Sequence, residues 1–330
     1  MGARVSEFSS SVLRLQGRRR RSVARWFACC GALLVLGGCS GAEHLSFLNP
    51  QGPIAAAESE HFWIVVAILF IFVALPVFVG TVWIAWRYRY GVTGPKYTPR
   101  WKFYKPLEFF TWGGPIVIVI ILSVLVWRNT ERYDPYRAIA SSAPPLHVQV
   151  IGYDWKWLFV YPDQGIASVG VLAFPSGRPV SMELTSATVM QSFFIPALAG
   201  QIYAMGGMVT QLNLEAAKPG RFLGENTMYN GNGFHQQKFA AVAMTPAEFD
   251  AWVQKVRGTG VHLDAAALKA LATPGTKAQL RAALPQATAP DGHVYFTGVK
   301  PGFFADLVMS VMDDTPLAPT ALAPAPTGGQ

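Results

Sequence analysis

Few residues in this 330-residue chain could bind a metal or form a covalent intermediate, and their spacing narrows the chemistry. The three cysteines are Cys29, Cys30 and Cys39, all near the N-terminus. If cleavage falls before Cys39, the mature chain keeps one cysteine at its extreme end. It can then form neither an internal disulfide nor a cysteine-pair metal site. His235 stands in a glycine-rich loop, Gly231-Asn232-Gly233-Phe234, and is expected to be a surface residue hydrogen-bonded to water, since a liganding histidine needs partners. Glu108 opens a long apolar run. A carboxylate there either favours a helix N-terminus, worth about 0.3–1 kcal/mol at an exposed site, or takes part in proton chemistry, as acids near a membrane interior often do. Its position leaves both roles open.

The segment around the cysteines has its own logic. Arg18, Arg19, Arg20, Arg21 and Arg25 form a basic region, and Trp26 to Gly38 is apolar but too short to span a hydrocarbon layer of about 30 Å. The run ends in Leu36-Gly37-Gly38-Cys39, which resembles the lipobox of bacterial lipoproteins. That resemblance implies a signal peptide over 1–38 and a lipidated Cys39. A single acyl chain binds membranes only marginally, whereas two anchor stably. The leader also explains the charge. Of 27 basic and 19 acidic residues, seven arginines and one acid lie in 1–38, so the formal +8 falls to 20 basic against 18 acidic residues afterwards. No basic surface for nucleic acid remains.

Half of the chain is hydrophobic (51%) and only 14% is charged, which points to the membrane. Phe62 to Ala85 and Phe109 to Trp127 are uncharged runs long enough to span, with tryptophans (Trp63, Trp83, Trp86, Trp112, Trp127) near their ends. Pro76 and Pro115 would disturb a lone helix, so neighbouring helices in a larger complex are expected. Arg87, Arg89, Lys96, Arg100, Lys102 and Lys105 lie between the runs with no acid among them. The positive-inside rule makes this loop cytoplasmic and places the N-terminus and everything after Trp127 outside. Lipidation of Cys39 requires the same topology.

After Asp134-Pro135 the pattern changes to short strands separated by Gly and Pro. The candidates are Leu146 to Tyr161, Val169–Phe174, Val180–Leu184, Val189–Ile195, Met208–Leu214 and Lys238–Met244. This is the texture of a β-sandwich or barrel. Thr245-Pro246-Ala247-Glu248 is a capping box that opens a helix with Phe249, Trp252, Val253 and Val256 on its apolar face. His262 to Ala283 is Ala/Leu-rich helix broken at Pro274-Gly275, and Val294–Phe296 with Pro301–Met312 forms a small added element. Thr315 to Gln330, rich in Pro, Ala and Thr, is expected to be disordered.

Two spans followed by such a domain suggest a known family. Tyr153-Asp154-Trp155-Lys156-Trp157, Gln191-Ser192-Phe193-Phe194-Ile195-Pro196, Gln201-Ile202-Tyr203-Ala204-Met205, the Gly231–Phe234 loop and Lys300-Pro301…Phe304-Ala305-Asp306 resemble subunit II of the haem–copper oxidases. The resemblance runs from about Phe62 to Met312 and is to the bo-type quinol-oxidase branch. It implies a two-helix transmembrane hairpin followed by a cupredoxin-like Greek-key β-sandwich and a small C-terminal helical arm. The expected boundaries are signal peptide 1–38, external linker with Cys39 at 39–60, first span 61–87, cytoplasmic loop 88–106, second span 107–128, linker 129–143, cupredoxin-like domain 144–257, arm 258–314 and tail 315–330.

In the cytochrome c branch of the family this domain holds a binuclear copper centre. Its ligands are two cysteines four apart, two histidines, a methionine and a backbone carbonyl. Here Gln191 stands at the first histidine position, Asn226 and Asn230 at the cysteines with Met228 between them, Phe234 at the second histidine and Gln237 near the methionine. Amides and a phenyl ring cannot replace thiolates and imidazoles for such copper. The resemblance therefore implies a subunit without metal or catalytic centre, in a complex that oxidises quinol at a partner. That partner is subunit I, which carries haems and copper, reduces oxygen and pumps protons. Further small membrane subunits and the bilayer are expected partners; cytochrome c is not. Trp155 and Trp157, near the electron-accepting site in the cytochrome c branch, are expected here to be a buried packing pair. The family also marks a glutamate at the Glu108 position as the mouth of a proton path. Two other readings stay open: a copper-carrying electron-transfer subunit, which the cysteine positions oppose, and a lipoprotein scaffold on the same fold, which fold alone allows.

Overall fold

The computed structural model describes residues 49–90 and 103–317. The chain divides into two units, Met1–Asn49 and Pro50–Gln330, and the second is described below. Cys39, the loop residues Lys96, Arg100 and Lys102, and the tail from 318 onward lie outside the described residues.

Two long apolar helices begin this unit. The first spans Pro53–Arg87, 35 residues, and the second Lys105–Arg132, 28 residues. At about 1.5 Å per residue the first is longer than a hydrocarbon layer needs. The excess lies at its start, in turns ahead of the expected span. Ala55 and Ser59 are buried there, and Gly52 packs so closely that a Cβ would stand 2.5 Å from the Glu215 carbonyl oxygen. Pro53 suits a first helical turn, where its missing N–H is no loss. The first helix is not uniform: α1 (Pro53–Leu69) passes through a π-helical turn, Phe70–Ala74, into α2 (Leu75–Arg87). Pro76 follows directly. A wider turn ahead of a proline makes room for its ring against the preceding carbonyls. The second helix, α3 (Lys105–Arg132), carries Pro115 inside it.

Backbone hydrogen bonds tie both helix ends to the β-domain. Gln51 N–H donates to Ala197 O (2.8 Å) and Ala217 N–H to Gln51 O (3.0 Å), while Asn213 N–H donates to Pro135 O (3.1 Å). The domain is a sandwich of two mixed sheets. The larger contains β1 (Leu146–Tyr153), β2 (Lys156–Tyr161), β3 (Ile166–Val169), β5 (Val180–Ser186), β8 (Thr210–Leu214), β11 (Val261–His262) and β12 (Val294–Thr297), in the order β11-β12-β3-β2-β1-β5-β8. The smaller contains β4 (Val171–Pro175), β6 (Gln191–Phe194), β7 (Ile202–Ala204), β9 (Gly220–Asn226) and β10 (Lys238–Met244), in the order β4-β10-β9-β6-β7. β1 runs parallel to β5 and β10 parallel to β4; the other pairings between β1 and β10 are antiparallel. This is a cupredoxin-like sandwich.

Two sequence segments expected to be single strands are each two. Leu146–Tyr161 folds back at Asp154-Trp155, with Trp155 at φ 61°. Val169–Phe174 breaks at Gly170, φ +90°, which passes the chain from β3 in one sheet to β4 in the other. β7 and β9 were not expected. β9 carries Gly220 and Gly224, which lower strand propensity, yet Gly224 is required because a Cβ would stand 2.1 Å from the Phe239 ring.

The boundary at 257 is not a structural one. Helix α4 (Pro246–Thr259) has the expected capping box at Thr245 and Glu248. Beyond it, α5 (Ala265–Ala272), α6 (Lys277–Ala283) and α7 (Phe303–Met312) pack on the outer face of the larger sheet, and β11 and β12 join that sheet through β3. The arm therefore makes a second core. Val148, Val150, Trp157 and Phe159 face the sandwich interior, whereas Ile151, Tyr153, Leu158 and Val160 face Leu263, Leu271, Leu280, Phe296, Phe303 and Leu307 of the arm. β2 is consequently buried at every position. That explains why alternation along 146–161 gives way to continuous apolar character.

Candidate functional site

Gln191 opens β6, Asn226 closes β9 and Gln237 precedes β10, three neighbouring strands of the smaller sheet. Their side chains meet at one end of the sandwich, where Gln191 is 0%, Asn226 4% and Gln237 1% exposed. Buried amides need partners, and these find them in each other. Gln237 Nε2 donates to Gln191 Oε1. Gln237 Oε1 accepts from Asn226 Nδ2 (3.0 Å) and Asn230 Nδ2 (2.8 Å). Gln191 Nε2 donates to the Tyr153 carbonyl (3.1 Å), which links the network to β1 in the other sheet. Asn226 Oδ1 accepts from the backbone N–H of Ser192 (2.9 Å) and of Met228 (3.0 Å), and Asn226 Nδ2 also donates to Met228 O (2.8 Å). Met228 thus takes part through its backbone.

The fold brings together Gln191, Asn226, Met228, Asn230 and Gln237. It leaves Phe234 aside, in a 3-10 turn with its ring 5.7 Å from Tyr229. His235 is exposed on the same turn. The polar groups around the network are amides, backbone groups and the hydroxyls of Ser186 and Thr188, mostly bonded to one another. They do not fit a thiolate-bridged copper centre. Among the described residues, no three of His, Cys, Asp and Glu converge as a metal would require.

The two tryptophans are not a buried pair, contrary to expectation. Trp157 is 2% exposed and packs edge-on against Phe193 at 5.3 Å in the core. Trp155 is only half-buried and turned outward by its positive φ. Its indole N–H donates to Asn230 O (3.0 Å). Gly231 and Gly233 lie beneath the ring; a Cβ on Gly233 would be 2.2 Å from Trp155 Cδ2. The adjacent Lys156 is 3% exposed, and Nζ donates to the carbonyls of Asp154 (3.2 Å), Thr273 (2.9 Å) and Gly275 (3.1 Å). Burial holds its pKa down to about 8, with Asp154 opposing. This lysine fastens the arm's Pro274-Gly275 break onto β2. Its role had no signal in the sequence beyond its place in the aromatic motif.

Glu108 lies in the first turn of α3, where Oε2 accepts from Trp112 Nε1 at 3.2 Å. It is far in sequence from the amide network and at the helix end opposite the one tied to the β-domain.

No protein-family model matches the chain. Individual proteins do. It is 39% identical over 289 residues to ubiquinol oxidase subunit 2 of Acetobacter aceti, covering 87% of each chain. It is 41% identical over 242 residues to cytochrome bo(3) ubiquinol oxidase subunit 2 of Pseudomonas putida, covering 73% of this chain and 76% of that one. The chain belongs to the quinol oxidase subunit 2 family. Quinol oxidase subunit 2 of Bacillus cereus is a more distant relative, 33% identical over 249 residues, covering 74% of this chain and 83% of its own. The periplasmic domain of subunit II of cytochrome oxidase from Bradyrhizobium japonicum is similar at 24% identity and TM-score 0.34, over 36% of this chain and 98% of its own. As a quinol oxidase subunit 2, the chain is a membrane protein of the respiratory electron-transport machinery, with two apolar helices and a cupredoxin-like domain.

Proposed function

We propose that the chain is the non-catalytic subunit II of a proton-pumping quinol oxidase. Quinol oxidation and oxygen reduction take place on subunit I, which carries the haems and copper. This chain clamps that subunit through its two helices and caps its outer face. It has no redox centre of its own and does not receive electrons from cytochrome c. The amide network carries this reading, because five of the six degenerate positions are joined in hydrogen bonds and none of the six is a cysteine or a histidine.

The orientation belongs to the same proposal: loop 88–106 cytoplasmic, the N-terminus and β-domain periplasmic. Its support is that Arg87 and Lys105 stand at the helix ends away from those bonded to the domain. Cys39 is the proposed lipid-anchor residue, and Glu108 the proposed mouth of a proton path into subunit I.

Purification in mild detergent tests the assignment. A haem-containing subunit I should accompany the chain, and the chain purified alone should retain no stoichiometric copper after exposure to Cu²⁺. Stoichiometric copper with a thiolate-type visible band would overturn the copper-free reading. Absence of any haem subunit would overturn the partnership.

A further inference from the structure

Apart from the amide network, three basic side chains converge where the arm meets the junction of β3 and β4, with a fourth, Arg221, within electrostatic range. Gly170, φ +90°, is buried at that junction, and the point its Cβ would occupy is 3.2 Å from His293 Nδ1 and 3.7 Å from Lys277 Cδ. Gly292, φ +76°, lies one residue before His293, and its Cβ would be 3.0 Å from Arg281 Nη1. Two glycines thus make a floor, and His293, Lys277 and Arg281 stand over it. Arg281 is held by donating Nε–H to Lys277 O (3.4 Å), and Lys277 Nζ donates to Lys238 O (3.0 Å). The side chain of Arg221, at the start of β9, has no hydrogen-bond or ion-pair partner among the described residues.

Of the nearby acids, Asp291 borders the cluster, its Oδ1 accepting from the His293 backbone N–H (3.1 Å), while its other oxygen is taken up by side chains outside the cluster. Asp291 accepts from Lys255 Nζ (2.6 Å) and Tyr295 O–H (2.9 Å), and Glu225 pairs with Lys238 (3.5 Å). Arg221, Lys277 and Arg281 form no ion pair among the described residues.

We propose that Arg221, Lys277, Arg281 and His293 bind a phosphate group above the Gly170–Gly292 floor. Guanidinium forks and an ammonium suit the several oxygens of a phosphate. A carboxylate has only two oxygens for donors arriving from β9, α6 and the turn before β12. The charges of the cluster act on one another. Burial first, then Arg281 and Arg221, hold the Lys277 pKa down. Burial does the same to His293; Asp291 opposes it, and Arg221, Lys277 and Arg281 add to it. A bound anion would relieve this repulsion.

The phosphate could belong to a free solute or a lipid headgroup, and calorimetry on the full chain in detergent at fixed ionic strength separates them. Inorganic phosphate is one probe and dihexanoyl-phosphatidylglycerol below its micellar concentration the other. Saturable 1:1 binding of either probe is expected, weakened about tenfold by Arg281→Gln or Arg221→Gln, as loss of a charge-assisted contact should do. Arg178→Gln removes the same charge from an exposed site whose guanidinium donates to Pro144 O and Pro145 O, and should leave binding unchanged. Binding of inorganic phosphate assigns a free solute, and binding of the lipid alone assigns a headgroup. No saturable binding of either probe overturns the proposal, as does an equal loss in Arg178→Gln or undiminished binding by both cluster variants. Arg221→Gln keeps the test sound if Arg281→Gln fails to fold, because the Arg221 side chain makes no hydrogen bond or ion pair among the described residues and its backbone pairing with Val242 is kept.

Discussion

The side chain of Gln237 donates to that of Gln191, joining the strand-start of β10 to that of β6 across β9. Neither residue has water as an alternative, at 1% and 0% exposure. Replacing Gln237 by leucine leaves Asn226 Nδ2 and Asn230 Nδ2 short of an acceptor and Gln191 Oε1 without its donor. Each buried group so stranded costs about 1–3 kcal/mol. Denaturant unfolding of the full chain in detergent should show Gln237→Leu destabilised by about 3 kcal/mol. In the double variant with Gln191→Leu the losses should fall short of their sum by roughly 0.5–3 kcal/mol. Additive losses would mean that the two amides do not act as a unit.

A second expectation concerns Gly233. Its φ of −89° is ordinary for any residue, so Gly233→Ala tests space rather than backbone strain. The new methyl would stand 2.2 Å from Trp155 Cδ2 and 2.4 Å from Cγ. The indole must swing away and lose its bond to Asn230 O. A destabilisation of about 1–3 kcal/mol is expected, as for other overpacked sites. Tryptophan emission should shift to the red and become easier to quench. In a Trp155→Phe background the spectral change should vanish; if it persists, the displaced group is not Trp155.

These two sites show what the sequence reveals and what it hides. Asn226, Asn230 and Gln237 could be singled out as a group by the resemblance of their segment to the family's copper loop. Their mutual bonding was not legible, since it depends on β6, β9 and β10 lying side by side and on a carbonyl from Tyr153 in the opposite sheet. Trp155 and Trp157 share a strand face by alternation, and so read as a pair. One positive φ at Trp155 separates them. The arm was legible as helix from its Ala/Leu texture and its caps. Its contribution of β12 to the larger sheet was not, because four residues, Val294–Thr297, carry too short a pattern to reveal a partner.

Lys156 gives the fold a pH signature. Its pKa is held to about 8 by burial, against 10.5 for the free side chain. Below pH 8 the folded and unfolded chains are both protonated, and folding bears the full cost of burying the charge. Between about pH 8 and 10.5 the unfolded chain binds a proton that the folded one does not. Stability contributed through this residue therefore rises with pH across that window. The comparison that isolates it is wild type against Lys156→Met, since other groups titrate there too. The unfolding free energy of wild type relative to the variant should increase from pH 8 to 10. A constant difference would show that the ammonium is not buried as the carbonyls of Thr273 and Gly275 place it.

Glu108 separates a structural from a functional role most sharply. Its carboxylate lies in the first turn of α3, where the helix dipole favours an anion, and accepts from Trp112 one turn on, at 3.2 Å. Both interactions are local and survive in part when the acid becomes an amide. Glutamine still accepts from an indole N–H, so Glu108→Gln should leave assembly and haem content unchanged. It cannot carry a proton. If protons reach subunit I past this side chain, turnover should fall by roughly tenfold, less than the ~100-fold or more typical of removing a general acid–base group at a reacting centre, because water can still feed the path. Haem reoxidation steps that take up protons should slow in parallel. Trp112→Phe removes the hydrogen bond while keeping the acid, and turnover should then stay within about twofold, since one exposed hydrogen bond contributes little. Unchanged turnover and haem kinetics in a normally assembled Glu108→Gln complex would leave the residue as a helix-start carboxylate and nothing more.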